Sequence, residues 1–344
     1  MRIVITGGFG FLGQRVTAVL LARRTLCGVP VDRLLLADRY VPAASPVADH
    51  PLVDVVRGDL IERLDGVFRE PVDVVIHLAS AVSAECENDF DLGMTANLDT
   101  TRALLDAARA QPAAGGPTPR VVFSSSVAVY GSDPAAPLPP VVDEWTLPTP
   151  QSSYGTQKRV CEQLIAEYTR RGFIDGRVAR LMTVTVRPGA PNGAASGFLS
   201  GIIREPLAGS PAICPVDPGL RVALASPRRT VEGILRITEA GRDDGPGSLE
   251  GRLPVNLPAL TVTVADMLGA LRRVAGDAVA DLVTVAPDPA VEAIVGSWPA
   301  SFDNARATAL GLRPDDDFES VVRAYVQDHP EAVDADVAFG TGSP

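Results

Sequence analysis

The chain begins with an apolar, β-branched run, Arg2 to Thr6 (RIVIT), which breaks directly into Thr6-Gly7-Gly8-Phe9-Gly10-Phe11-Leu12-Gly13. Residues 11–24 (FLGQRVTAVLLARR) then place apolar side chains three and four apart, the period of a helix with one buried face. Two overlapping patterns fit the turn between them: Gly8, Gly10 and Gly13 as G-x-G-x-x-G, and Gly7, Gly10 and Gly13 as G-x-x-G-x-x-G. Either leaves backbone N–H groups at a helix N-terminus open to an anion, and a side chain at Gly10 would fill the space a phosphate needs. A strand, this turn and a helix in that order predict a dinucleotide pyrophosphate held over Gly7, Gly10, Phe11, Leu12 and Gly13.

The pattern then repeats without its glycines. Strands are predicted at 34–38 (LLLAD), 54–58 (DVVRG), 73–79 (DVVIHLA), 120–126 (RVVFSSS) and 177–184 (RVARLMTV), with helices at 60–70, 95–110 and 154–171. Near-continuously apolar strands alternating with helices indicate a parallel sheet buried on both faces, a doubly wound α/β (Rossmann) domain. Prolines and glycines crowd 188–228, where a short helix (201–208) and one or two strands are expected. Helix 229–240, strand 253–257, helix 264–275, strand 282–286 and helix 317–327 follow. The predicted organisation is a dinucleotide-binding domain over 1–187, its sheet completed by later segments. A smaller, loop-rich substrate-binding region follows over 188–334, with a flexible tail at 335–344. Segments 111–119 and 132–150 read as surface loops.

Asp38 ends the second long strand, where a carboxylate can accept both ribose hydroxyls of NAD and would repel the 2′-phosphate of NADP. Arg39 beside it partly offsets that repulsion, so NAD is the preferred cofactor. Asp59-Leu60 is placed to frame the adenine, although Asp59 fits a plain helix N-cap nearly as well. Leu78, Ala79 and Ser80, at the end of the fourth strand, bring small residues that let a dinucleotide lie across it, whereas His77 reads as a core histidine.

Of 31 basic residues, 30 are arginine and one, Lys158, is lysine. Arginine replaces lysine at most surface sites but not where a compact, rotatable ammonium is required. Tyr154 lies four residues earlier in the same predicted helix, on the same face. An ammonium there can stabilise a phenolate and hold the ribose of a nicotinamide. A tyrosine titrates near 10, so work near neutrality needs a fall of about 2 to 3, or about 3–4 kcal/mol. A buried cation together with a positive nicotinamide ring can supply it.

The net charge of −11 repels phosphate backbones, so no nucleic-acid partner is expected. No apolar run approaches the roughly 20 residues of a membrane span. The first strand starts at Arg2, so no leader is expected. Cys27, Cys86, Cys161 and Cys214 form no C-x-x-C pair, and His50, His77 and His329 are far apart. A reduced, cytoplasmic chain without a metal site is the simple reading.

TGGFGFLG, Asp38, HLAS, the serine triplet Ser124-Ser125-Ser126 before VAVYG, and YGTQK together resemble an extended short-chain dehydrogenase/reductase, the superfamily of nucleotide-sugar epimerases and dehydratases. That resemblance implies a catalytic Ser126 (four before the Tyr of VYG) working with Tyr154 and Lys158. It also implies Ser124 and Ser125 on the nicotinamide side and Asn97 in the cofactor set. The stretches DFDLGMTANLDTTRALLDAAR, SSYGTQK, RRGFIDGRVARLMTVTVRPGAPNGAASGF and GIIREPLAGSPAICPVDPGLRVALASPRR are similar to the D-erythronate dehydrogenase branch, to about residue 275. That branch oxidises C2 of a four-carbon sugar acid to a 2-oxo acid with NAD. Ser80 here stands where Ala is common, Met182 replaces a Pro, and the Arg-x-x-Asn-x-x-Gly pattern of many nucleotide-sugar enzymes is missing.

The expected reaction is therefore NAD-dependent oxidation of a small sugar acid, with Tyr154 as general base and Ser126 orienting the substrate oxygen. Arg187, after the strand and before Pro188-Gly189, is the candidate for the carboxylate, and Ser80, Ser83, Thr183 and Asn192 for hydroxyls. The alternative is a nucleotide-sugar 4-epimerase or dehydratase, using the same triad and placing Arg228 or Arg229 on the diphosphate. A dinucleotide-sensing regulator would not need the triad. Helices 95–110 (Leu98, Leu104, Leu105) and 154–171 (Val160, Leu164, Ile165) carry apolar residues on more than one side. Related extended enzymes dimerise through such a pair, so a homodimer is expected.

Overall fold

The computed structural model describes residues 1–189, 196–242, 245, 247–335 and 337. Seven strands, all parallel, form the central sheet in the order Val255–Asn256, Asp175–Leu181, Arg120–Ser126, Val74–His77, Arg2–Thr6, Arg33–Asp38, Val53–Arg57. Arg2–Thr6 lies between Arg33–Asp38 and Val74–His77, with Ile5 level with Leu36 on one side and Ile76 on the other. Strand order reverses there, so the crevice of a doubly wound sheet opens at the carboxyl ends of these strands. The expected fold class is borne out.

Both faces of the sheet are covered, which explains the unbroken apolar strands. Successive residues point to opposite faces. Ile3 and Ile5 join Val16 and Leu20 of helix Phe11–Arg23, and Val231, Ile234 and Leu235 of helix Pro227–Glu239, in one core. Val4 joins Leu104, Leu105, Cys161 and Ile165 of helices Thr100–Ala113 and Ser153–Arg170 in the other. A further core gathers Leu199, Ile203, Leu224, Met267, Leu271 and Val322 from helices Gly197–Leu207, Val264–Ala275 and Phe318–Asp328. It packs on a three-stranded sheet, Leu260–Thr263, Arg221–Ala225, Thr183–Val184. Residues beyond 187 thus build this third core and also return a strand and a helix to the first.

Several boundaries differ from expectation. The run 177–184 is two strands: Asp175–Leu181 stays in the main sheet, and after Met182 the pair Thr183–Val184 joins the small one, with Thr183 level with Leu224. The helix expected from 95 starts at Phe90, because the Asp89 carboxylate accepts the Leu92 N–H at 2.9 Å. Its turns over Met94–Asp99 are wound wider than an α-helix, a feature that often marks functional sites. The hairpin Thr25–Leu26 with Val29–Pro30 and the helices Ser83–Asn88 and Pro289–Val295 were not foreseen. Of the six residues proposed for a dimer face, Leu104, Leu105 and Ile165 belong to the sheet-side core. Only Val160, 39% exposed, stands fully at the surface, joined there by Phe90 and Leu92. Most of the predicted tail, 336 and 338–344, lies outside the described residues.

Candidate active site

The crevice holds two cavities that share Gly7, Gly10, Leu78 and Ser80. One, about 460 Å³, is lined by Asp38, Arg39, Gly58, Asp59, Leu60, Ala79 and Ala81. The other, about 250 Å³, is lined by Phe11, Leu12, Gly13, Ser83, Ser124, Ser125, Ser126, Tyr154, Lys158, Thr183 and Arg187. A long ligand can lie across the strand ends with one end in each.

The glycine turn is built for close approach. A Cβ on Gly13 would stand 2.2 Å from the Gly7 carbonyl oxygen, so helix and strand meet only without a side chain there. A Cβ on Gly10 would meet nothing nearer than the Gly7 oxygen at 3.2 Å, and Gly10 lines both cavities. Gly10 is also the N-cap of helix Phe11–Arg23 and carries no side-chain cap. This space and the first-turn N–H groups beyond it fit a pyrophosphate. The Asp38 carboxylate accepts the Phe9 N–H at 2.9 Å and the Tyr40 N–H at 3.1 Å, which fixes it at the rim of the larger cavity. Asp59 takes both of its readings at once: it accepts the Ile61 N–H as an N-cap and lines that cavity. It also pairs with Arg39 at 2.6 Å, so the cation expected to soften Asp38 is committed to Asp59.

Helix Ser153–Arg170 begins where the Ser152 hydroxyl accepts the Gly155 N–H at 3.1 Å. A Cβ on Gly155 would lie 2.1 Å from the Ala128 oxygen. Glycine there lets the helix start touch the turn after Ser126, and this brings Tyr154 to Ser126. The Ser126 hydroxyl caps that turn, accepting the Ala128 N–H at 3.1 Å. Burial raises the Tyr154 phenol to about 12, against the opposing pull of a hydrogen bond with Ser126 and the charge of Arg187. The expected lowering by Lys158 is absent from the chain alone. The Lys158 ammonium donates to the Ser124 carbonyl at 2.9 Å and lies 5.5 Å from the centroid of the Tyr154 ring. It is itself buried, and burial lowers it to about 8.

The serine triplet divides. Ser124 donates its hydroxyl to the His77 carbonyl at 2.9 Å, and Ser125 to Glu162 at 2.7 Å, so only Ser126 has its hydroxyl beside Tyr154. Glu162 in turn forms a bidentate pair with Arg180 at 2.8 and 2.7 Å, with both side chains buried. This network tying the Tyr154 helix to the sheet was not foreseen, because Arg180 is remote in sequence. His77 is a core residue: Thr6 and Thr101 engage both ring nitrogens, and burial lowers it to about 3.

Asn97, expected to touch the cofactor, lines neither cavity. Its amide oxygen accepts from Ser80 and the Ala81 N–H at 2.9 and 2.8 Å, and its nitrogen donates to Gln157 at 2.8 Å. It is a buried strut behind the Ser80–Ala81 turn, its amide saturated by protein groups. Arg187 lines the smaller cavity, pairs with no carboxylate among the described residues, and is lowered by burial and by nearby Arg204. Asn192 lies outside the described residues. Arg228 and Arg229, the cations suggested for a nucleotide diphosphate, pair with Asp328 and Glu232 and line neither cavity. Trp298, which sequence reasoning missed, lines the smaller cavity.

The model of the NAD dependent epimerase/dehydratase family matches residues 3–220. A D-erythronate dehydrogenase of Cupriavidus necator is 50% identical over 336 residues, 95% of this chain and 98% of that protein. One of Haemophilus influenzae is 41% identical over 330 residues, covering 95% of this chain and 99% of its own. A crystal structure titled nucleoside-diphosphate-sugar epimerase, from Agrobacterium tumefaciens, is 38% identical and superposes with a TM-score of 0.87 over 96% of this chain and 95% of that one.

Proposed function

The chain belongs to the NAD-dependent epimerase/dehydratase family and is an NAD-dependent oxidoreductase, and on that premise we propose that it oxidises C2 of a short sugar acid, D-erythronate, to the 2-oxo acid. The observation that carries this reading is one small cavity containing Ser126, Tyr154 and Lys158 together with Arg187, a cation that no protein carboxylate neutralises among the described residues. A free acid needs such a charge. A nucleotide sugar needs cations along a longer groove, and Arg228 and Arg229 are spent elsewhere. Identity of 50% and 41% to two D-erythronate dehydrogenases along nearly the whole chain supports the acid.

Gly7, Gly10, Phe11, Leu12 and Gly13 hold the pyrophosphate of NAD, Asp38 its adenosine ribose, and Asp59, Leu60 and Ala79 border the adenine. Bound NAD supplies the hydride acceptor and, in its cationic ring, a charge that favours the Tyr154 phenolate. Tyr154 takes the proton of the C2 hydroxyl as general base. Ser126 hydrogen-bonds the same oxygen and fixes its orientation. Lys158, held by the Ser124 carbonyl, keeps a positive charge at the far side of the phenol and holds the nicotinamide ribose. Arg187 takes the carboxylate, and Ser80, Ser83 and Thr183 border the hydroxyl groups.

The protein acts in the cytoplasm as a homodimer through the helix pair that exposes Phe90, Leu92 and Val160. Among the described residues no helix is long and apolar enough to cross a membrane. A panel of free sugar acids and nucleotide sugars, followed by NADH absorbance, tests the reaction. D-erythronate should release NADH stoichiometrically. Turnover of a nucleotide sugar with none of any sugar acid would overturn the dehydrogenase reading.

A further inference from the structure

Among the described residues that line the smaller cavity, only Ser196 and Trp298 come from beyond Arg187. Trp298 follows helix Pro289–Val295, and its N–H donates to the Val295 carbonyl at 3.3 Å. Just beyond it the chain is tied down: the Ala300 carbonyl accepts the Thr261 hydroxyl at 2.6 Å, and the Ser301 carbonyl accepts the Val142 N–H at 2.9 Å. The indole is therefore presented from an anchored segment, and it packs against the third core, that of Leu199, Met267 and Val322. Its ring N–H donates to no group among the described residues and is open to solvent, so a ligand can accept from it.

The cavity, about 250 Å³, is the smaller of the two in the crevice. The same cavity reaches the glycine turn, so part of it belongs to the dinucleotide. Among the described residues, Trp298 is the large aromatic side chain from the C-terminal region that bounds the remainder.

We propose that Trp298 sets the chain length of the acid: its ring closes the site beyond C4, and its N–H donates to the terminal hydroxyl of the substrate. The proposal rests on the aldonate reading above. D-ribonate and D-allonate extend D-erythronate by one and two carbons with the same configuration at C2 and C3, so they vary length alone. Trp298→Ala should raise kcat/KM for D-ribonate or D-allonate relative to D-erythronate at least tenfold, with KM for NAD within twofold of the parent. Trp298→Phe, which keeps the wall and loses the donor, should keep the preference for four carbons while KM for D-erythronate rises several-fold.

A second readout does not need turnover. With Trp145, which is exposed, replaced by Phe, Trp298 is the one remaining indole. D-Erythronate added to the NADH complex should then change its emission. A length preference unchanged in an active Trp298→Ala enzyme, or an indole emission indifferent to D-erythronate while the acid is being oxidised by the parent, overturns the role of Trp298. If the parent oxidises no sugar acid at all, the reaction reading itself falls, and the proposal with it.

Discussion

The Lys158 ammonium sits 5.5 Å from the centroid of the Tyr154 ring and spends a hydrogen bond, 2.9 Å, on the Ser124 carbonyl. The cation is thus beside the phenol yet fixed by the sheet, in a place where burial lowers it from 10.5 to about 8. Holding its charge below pH 8 costs stability, about 3 kcal/mol at 1.36 kcal/mol per pH unit. Between pH 8 and 10.5 the unfolded chain keeps this proton and the folded chain has lost it, so the penalty that Lys158 imposes on stability shrinks with pH through that window. Lys158→Met should therefore abolish turnover and yet unfold at higher urea at pH 7, with the advantage fading toward pH 10. Lys158→Arg keeps charge with a wider, stiffer head and should lose at least a hundredfold in kcat with NADH binding retained. Urea midpoints at the two pH values, beside steady-state kinetics, check both statements.

Asp38 and Arg39 are separated by their partners. Asp38 is fixed by the Phe9 and Tyr40 N–H groups, and Arg39 by Asp59. Asp38→Ala should improve the ratio of kcat/KM with NADP to that with NAD by removing repulsion of the 2′-phosphate. Adding Asp59→Asn weakens the hold on Arg39 and should move the ratio further. Kinetics with both cofactors measure it, and an unmoved ratio in the double variant would mean that Asp38 does not meet the ribose.

How much of this was legible follows from how far apart the partners lie. The glycine turn, the strands and the Tyr154–Lys158 pair were readable because each is a local pattern within a few residues. The uniqueness of Lys158 added a compositional signal. Arg187 was singled out by its place at a strand end, and it lines the smaller cavity. Trp298 was not, because only the anchoring of 300–302 on Thr261 and Val142 carries it to the cleft. Asn97 differs in that it stands behind the Ser80–Ala81 turn, where Ser80, Ala81 and Gln157 engage its amide, which no sequence pattern shows. The phenol of Tyr154 stands high in the chain alone, whereas the low value was expected with the positive nicotinamide ring in place. Adjacency to a cation was legible, and the cost of burying both groups was not.

Glu162 and Arg180 form the most enclosed ion pair of the site, and Ser125, Tyr130 and Arg159 add to it. Removing one partner leaves a buried charge unpaired, so Glu162→Ala should destabilise by about 3–5 kcal/mol. Replacing both by apolar residues, Glu162→Leu with Arg180→Met, should recover most of that. Urea unfolding of the two variants tests the difference, and equal losses would mean that packing rather than charge dominates here.

The helix pair Phe90–Ala113 and Ser153–Arg170 leaves Phe90 61%, Leu92 38% and Val160 39% exposed. Association would cover them and brace the helix that carries Tyr154. Light scattering should give twice the chain mass of 36.0 kDa at micromolar concentration. Val160→Glu should halve it, and a parent that stays at the single-chain mass would remove the dimer.

Arg187 carries the substrate reading, so its replacement is the most informative variant. Its backbone N–H is held by the Ser200 hydroxyl at 3.1 Å, which a change of side chain leaves in place. A charge-assisted hydrogen bond contributes about 1.5–3 kcal/mol, and about 1.4 kcal/mol is a factor of ten. Arg187→Met should thus raise KM for D-erythronate about ten- to a hundredfold while KM for NAD hardly changes. A second consequence follows from the charge. Arg187 lowers the Tyr154 phenol, so its loss should let the phenol rise and shift the ascending limb of the kcat–pH profile to higher pH. Loss of acid and NAD binding together would instead assign Arg187 to the fold. A raised KM with an unmoved pH profile would keep the carboxylate contact and remove the electrostatic link to Tyr154.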